Sequence, residues 1–383
     1  MEQLLSRLSS FDPAVRGEAL HTLAATIERG GVKSMEPRKS WLNLHFHTFH
    51  SFNYNNWSPA RVVFEAWRTG LRYAGTVDFD TLAALEETLT AGRLLGIKVC
   101  GGFESRVYLK EYGDKVLNSP KEPGIYYLCG KGFRREPDPA SEEGRFFARM
   151  KEIAQERNRV IIERLNAFLK DVSLDERRDV LPLTPSGNPT ERHMVAAYRK
   201  VSEERLGTKV DSFWAAVLGI PEEIVKEQRT VKPEDFEEVL RTKLIKYGGP
   251  GYIAPEPSRF PKLEEVAAMT KKAGGIPVGT WLDGTSNGES DPSALVACLE
   301  RNGIEAMAVI PERNWHIKDP AEKEIKVANF DRFMAVCRER KMPVVCGTEM
   351  NKFGQPFTDD FTRPELAKYL SFFLESARML VER

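Results

Sequence analysis

His45 and His47 are the residues of this sequence whose type and spacing most directly suggest chemistry. They lie in W-L-N-L-H-F-H-T-F-H-S, Trp41 to Ser51, which holds three of the chain's six histidines. Apolar residues lead into the pair, and side chains two apart on a strand share a face. A strand ending here therefore presents two imidazoles side by side, and imidazole nitrogen is a common ligand of divalent metals. A bare H-x-H is equally compatible with histidines satisfied by backbone groups. The remaining ligands must come from other segments.

The elements that would carry them can be read from the hydrophobic rhythm. After the His45 strand, Ser58-Pro59 starts a helix that stops at Gly70, since proline suits the first helical position. A strand from Tyr73 to Val77 delivers Asp78, and Asp80 is placed to cap the helix that follows to Gly96. A strand from Ile97 to Phe103 delivers Glu104. From about 110 to 255 this alternation stops, and helical patterns cover 148–169, 190–206, 211–218 and 232–245. It resumes with a helix at 263–272, a strand at 276–279 ending in Thr280-Trp281, and a helix opened by Asp291-Pro292. A strand at 304–310 then leads into P-E-R-N-W-H, with Arg313, Asn314 and His316. A helix at 330–339, a strand at 342–346 delivering Glu349 and Asn351, and a last helix at 363–380 complete the chain.

Short strands alternating with helices predict a parallel sheet or barrel, in which functional groups gather at the C-terminal strand ends. Two histidines and several carboxylates collected there form a metal-ligand set. The expected organisation is an N-terminal helical segment at 1–38 and a barrel at 39–383, interrupted by a helical insertion at 110–255. Residues 2 to about 30 read as two short helices, with Asp12-Pro13 opening the second and His21 outside the chemistry.

The formal charge is balanced, with 56 basic and 56 acidic residues. Extended nucleic-acid binding and membrane-surface binding therefore have no electrostatic support. Five scattered cysteines with no C-x-x-C pair read as ordinary thiols of a reducing compartment. The N-terminus lacks the pattern of a secretory signal and no apolar run is long enough to span a bilayer. A cytoplasmic location is expected, and no specific protein partner is implied.

Six blocks in order resemble the motifs of the polymerase-and-histidinol-phosphatase (PHP) superfamily, over roughly residues 40 to 355. L-N-L-H-F-H-T stands for its opening H-x-H, A-G-T-V-D-F-D-T for T-D-H-(D/N)-T, and G-G-F-E-S for G-x-E. N-P-T-E-R-H-M is similar to the T-R-x-H segment of the nucleotide-phosphoesterase branch. A-G-G-I-P-V-G-T-W stands for A-G-G-x-x-V-x-A-H-P, and V-V-C-G-T-E-M-N for the closing G-S-D-x-H. The resemblance implies a distorted (β/α)7 barrel with a helical insertion and a strand-end site for up to three divalent metals.

It also implies roles. His45, His47, Glu104 and His193 stand at ligand positions, Glu349 replaces the last aspartate, and Asp78 keeps the aspartate of the second block. Other positions depart from the pattern: Phe79 stands where a histidine is expected, Thr280-Trp281 replaces A-H, and Asn351 replaces the last histidine. Phenylalanine cannot ligate and tryptophan offers only an N–H, so one or two ions of manganese, zinc or iron are expected instead of three.

The expected activity is hydrolysis of phosphoester bonds in a small phosphorylated or nucleotide-like substrate, by attack of a metal-bound water. Arg192 and Arg313 are the candidates for phosphate contacts, a guanidinium matching phosphate in bidentate fashion. Asn314 and His316 are placed to orient substrate or water, and His50 to support the ligands. Two alternatives stay open: a barrel that has lost catalysis and binds a metal or phosphorylated ligand, and a mononuclear, amidohydrolase-like hydrolase.

Overall fold

Seven short strands, most of them buried on both faces, pair in the order in which they occur in the chain in the computed structural model, which describes residues 1–35 and 40–382. They are β1 (Leu42–Phe46), β2 (Tyr73–Phe79), β3 (Lys98–Tyr108), β4 (Ile125–Lys131), β5 (Ile276–Trp281), β6 (Ala306–Val309) and β7 (Val344–Cys346). β1, β2 and β3 run parallel, as do β5, β6 and β7, while β4 is antiparallel to both its neighbours. The sheet is a nearly closed seven-stranded barrel covered by helices, the distorted barrel with helical elements expected from the sequence.

The chain divides into two compact units, Met1–Met150 with Glu256–Arg383, and Lys151–Pro255. The expected boundary of the N-terminal segment, between residues 38 and 39, lies outside the described residues. β4 corrects the sequence reading, in which 110–255 carried helical patterns only. Its run I-Y-Y-L-C-G-K is buried on both faces except for the half-buried Tyr127, so it lacks the alternation that betrays a half-exposed strand.

Helix starts follow the local chemistry. Ser58, Asp291 and Asp319 each accept a backbone N–H of the first turn, from Arg61, Ala294 and Glu322, and each precedes a proline. Asp319-Pro320 begins its helix ten residues earlier than the apolar periodicity suggested, at Pro320 instead of Phe330. The last helix is divided into Pro364–Ala367 and Leu370–Val381. Asp80 does not cap the helix Leu85–Leu95. That helix begins after Ala84 with no side-chain cap, and Asp80 instead accepts a hydrogen bond from Ser105 Oγ.

In the barrel unit the main core runs from Tyr73, Phe103 and Tyr126 through Trp281 to Phe330 and Phe373. The helix Pro13–Glu28 packs Leu20 and Leu23 into a second cluster with Phe64 and Trp67, and Arg16 pairs with Glu87 at 2.8 Å. The helical unit has its own core of Leu165, Tyr198, Trp214, Phe236 and Leu240, in which Trp214 Nε1 donates to Ser202 Oγ at 2.8 Å. Among the described residues, no helix is long and apolar enough to cross a membrane.

Candidate metal centre

The centre begins with an irregularity in β1. Asn43 lies opposite Ala74 but Phe46 opposite Thr76, so three steps of β1 face two of β2. Such a bulge re-aims side chains and frees ladder groups. Both freed groups are satisfied by side chains. Asn43 Oδ1 accepts the His45 N–H at 2.8 Å, and Lys131 Nζ donates to Leu44 O at 2.7 Å. Asn43 Nδ2 donates in turn to Thr348 Oγ1 at 2.7 Å and Phe357 O at 3.0 Å, tying β1 to the segment after β7. Gly347 allows that approach: a Cβ there would fall 2.1 Å from Asn43 Oδ1 and 2.7 Å from the His45 nitrogen.

With the bulge in place, His45 Nε2 and His47 Nε2 lie 3.5 and 3.3 Å from Glu104 Oε2. The three residues are 2%, 0% and 5% exposed, and their ligand atoms lie within 4.8 Å of one another. None of these three atoms has a hydrogen-bond partner among the described residues. Each buried polar atom left unpaired costs about 1–3 kcal/mol. Two ligands bound at about 2.1 Å to a tetrahedral ion stand about 3.4 Å apart, so the observed separations fit a shared divalent cation. His45, His47 and Glu104 are therefore the residues that fit a metal.

Burial, and then the Lys131 charge, lower the pKa of His45 and keep it neutral, as a ligand requires.

The orientation of His47 is set from behind. Ser51 Oγ donates to Asp78 Oδ1 at 2.5 Å, and the Ser51 oxygen lies 3.1 Å from His47 Nδ1. Since the single hydroxyl proton is committed to Asp78, Ser51 accepts from Nδ1–H, which leaves the Nε2 lone pair facing Glu104. Asp78 also accepts from the Thr48 N–H at 2.8 Å and Thr48 Oγ at 2.7 Å. Fully buried, Asp78 thus organises the loop after β1 and lies one hydroxyl away from His47.

Glu349 is not part of the three-residue cluster. Its Oε2 accepts from Arg313 Nη2 at 2.9 Å and from Gln355 Nε2 at 3.1 Å, while its carbonyl accepts the His47 N–H at 2.9 Å. Burial pushes the Glu349 carboxyl up, and Arg313 more than compensates. Met350 and Asp80, each at a strand end beside the centre, hold left-handed backbone at φ of 57° and 55°. Such angles are uncommon outside glycine and cluster at functional sites.

The replaced positions have new partners. The Phe79 ring lies 4.5 Å from the His47 ring and in register with Glu104 across the sheet, so it walls the centre. Trp281 stacks at 4.5 Å on Phe333 of the helix Pro320–Glu339 and belongs to the core. The backbone N–H of Asn351 is bound by Gln355 Oε1 at 2.9 Å.

In the connection after β6, which forms a short helix at Glu312–Trp315, Arg313 keeps 43% of its side chain exposed. Asn314 is buried and donates to Leu282 O at 3.0 Å, and His316 is exposed and stacks on Trp315 at 5.1 Å. His193 and Arg192 belong to the helical unit. There His193 Nδ1 accepts the Thr190 N–H at 3.0 Å, with burial pushing its pKa down to about 3, and Arg192 pairs with Glu238 at 2.9 Å.

Several contributors escape a reading of the sequence. Lys131 is fully buried two residues along from Cys129, the cross-strand partner of Glu104, in the stretch expected to be a helical insertion. Asn43 and Ser51 flank the H-x-H pair without any spacing signal. Gln355 Nε2 bridges Glu349 and Glu312 Oε1, the latter at 3.0 Å; burial and then Glu349 push Glu312 up to about 7. Only the fold brings these residues to the strand ends.

No family model matches the sequence, and no curated protein matches it. Solved structures do. An amidohydrolase from Chromobacterium violaceum, with sulfate bound and no metal, is similar at a TM-score of 0.56 and 16% identity, over 88% of this chain and 96% of that one. A candidate metal-dependent phosphoesterase from Bifidobacterium adolescentis is similar at a TM-score of 0.54 and 18% identity, over 88% of this chain and 98% of that one. At these identities the likeness is one of fold, and the chain shares a near-barrel architecture with both.

Proposed function

We propose that this protein is a PHP-like, metal-dependent hydrolase that cleaves the phosphoester bond of a small phosphorylated substrate. The observation that carries the reading is the convergence of three buried, unpartnered ligand atoms, His45 Nε2, His47 Nε2 and Glu104 Oε2. Its place at the strand ends of a barrel, and the neighbour named as a phosphoesterase, support it.

A divalent ion held by His45, His47 and Glu104 would supply Lewis acidity toward water and a phosphoryl oxygen. The protein's own groups prepare for that. His45 is kept neutral by burial, and His47 is held with its Nε2 lone pair forward through Ser51 and Asp78. Glu104 contributes negative charge. Arg313, half exposed beside Glu349, offers N–H donors to a phosphoryl anion entering from solvent. Phe79 excludes water from the flank of His47. Five buried, unpaired thiols support action in a reducing compartment such as the cytoplasm.

A second reading, an amidohydrolase-like hydrolase, is favoured by the three-residue cluster and by the neighbour of that name. Both readings require the same centre. Elemental analysis of protein purified without chelator is expected to give about one transition metal per chain by the ligand set, and Glu104→Gln to lose it. Metal-free wild type, or a Glu104→Gln variant with its metal retained, contradicts the site.

A further inference from the structure

Donors that could hold a second ion beside the His45–His47–Glu104 cluster are already committed to protein partners. Glu349 Oε2 receives two N–H groups, from Arg313 at 2.9 Å and Gln355 at 3.1 Å. Asp78, 0% exposed, receives three, from Thr48 N–H, Thr48 Oγ and Ser51 Oγ. Phe79 presents to His47 a ring, 4.5 Å away, that offers no ligand atom. Within the barrel the cationic charge is supplied by side chains, Lys131 Nζ on the Leu44 carbonyl beneath His45 and Arg313 on Glu349.

We propose that the guanidinium of Arg313 stands in place of a second metal ion, so that the barrel binds a single divalent cation next to a resident organic one. The inference rests on the hydrolase reading for its purpose but on geometry for its content. A second dication at Glu349 would have to displace Arg313 from a carboxylate it contacts directly, or remain beside it unscreened. Like charges a few ångströms apart repel strongly even at an effective dielectric of about 20. Arg313 differs from a metal in one functional respect: it is fixed to the loop after β6, so its donors reach solvent and meet an anionic substrate without prior loading. The substrate class that fits one metal plus one guanidinium is a phosphate monoester, whose terminal oxygens can divide between the two.

The test is metal stoichiometry, read without turnover. Metal-free protein is titrated with manganese, counting bound ions by calorimetry and distinguishing isolated from coupled ions by electron paramagnetic resonance. Wild type is expected to bind one ion per chain with the six-line signal of an isolated centre, and Arg313→Lys, which keeps the charge, to do the same. Arg313→Met frees Glu349 and is expected to bind a second ion with a coupled signal. Two ions on wild type overturn the proposal, as does a single ion on Arg313→Met with wild-type circular dichroism. If Arg313→Met fails to fold, the wild-type and Arg313→Lys counts decide. One ion without phosphatase activity upholds this inference and defeats the hydrolase reading; two ions with activity do the reverse; none defeats both.

Discussion

At the scale of single residues, the centre depends on which atom of each ligand is left free. Ser51 decides this for His47. Ser51→Ala removes the acceptor of Nδ1–H and one of the donors to Asp78, and loss of such an orienting partner costs roughly 10- to 100-fold in metal affinity. Competition against a chelator of known affinity measures it, and unchanged affinity would contradict the tautomer argument. Glu104→Gln should cost more, because it replaces an anionic ligand by a neutral one. His45, His47 and Glu104 were legible in the sequence because histidines two apart and a glutamate, each following an apolar run, obey a simple periodicity, although Glu104 lies within β3 and not at its end. Glu349 was legible as a position but not in its partner, since the Arg313 contact joins the loops after β6 and β7 and no spacing encodes it.

At the scale of elements, the bulge in β1 is the device that turns a strand into a ligand platform, and it is supported from outside the strand. Asn43→Ala leaves the His45 N–H buried without its acceptor, at a cost of about 1–3 kcal/mol. Gly347→Ala is expected to cost at least as much, because its Cβ would overlap Asn43 Oδ1 and the His45 nitrogen. Urea unfolding measures both, and metal affinity should fall with stability in each. Wild-type stability in both variants would mean that the bulge is held by something else. Helix starts marked by Ser58-Pro59 and Asp291-Pro292, and the strands that carry His45, Asp78 and Glu104, were readable because caps and periodicity are local, but the end of β3 was not: it was expected at Phe103, and the strand runs on past Glu104 to Tyr108 through its pairing with β4. β4 was not readable, because antiparallel pairing on both sides and burial of both faces, Lys131 included, erase the alternation and charge cues that announce a strand.

At the scale of the whole molecule, folding and ligand binding are linked through the centre. A metal that binds only the native chain stabilises it by RT ln(1 + [L]/Kd), about 2.7 kcal/mol at a hundredfold excess over Kd, so chelation should lower the melting temperature of wild type but not of Glu104→Gln. A proton linkage is also expected. Burial pushes Asp359, whose Oδ1 accepts from Trp315 Nε1 at 2.9 Å, up to about 7. Its folded pKa lies above its unfolded one, so its contribution is complete below about pH 4 and is lost as pH rises through 7. Asp359→Asn keeps an acceptor for Trp315 without the charge. Relative to wild type it should gain stability, on the order of a few kcal/mol, between pH 5 and pH 8. Parallel stability curves would place the Asp359 titration at its ordinary value. The central claim, that the strand-end cluster serves phosphoester hydrolysis, is tested most directly by phosphate release. Wild type loaded with manganese or zinc should liberate inorganic phosphate from p-nitrophenyl phosphate and nucleoside monophosphates, with Glu104→Gln slower by roughly 100-fold or more, as loss of transition-state charge stabilisation commands. No phosphate from a fully loaded wild type, or equal release by Glu104→Gln, would contradict it.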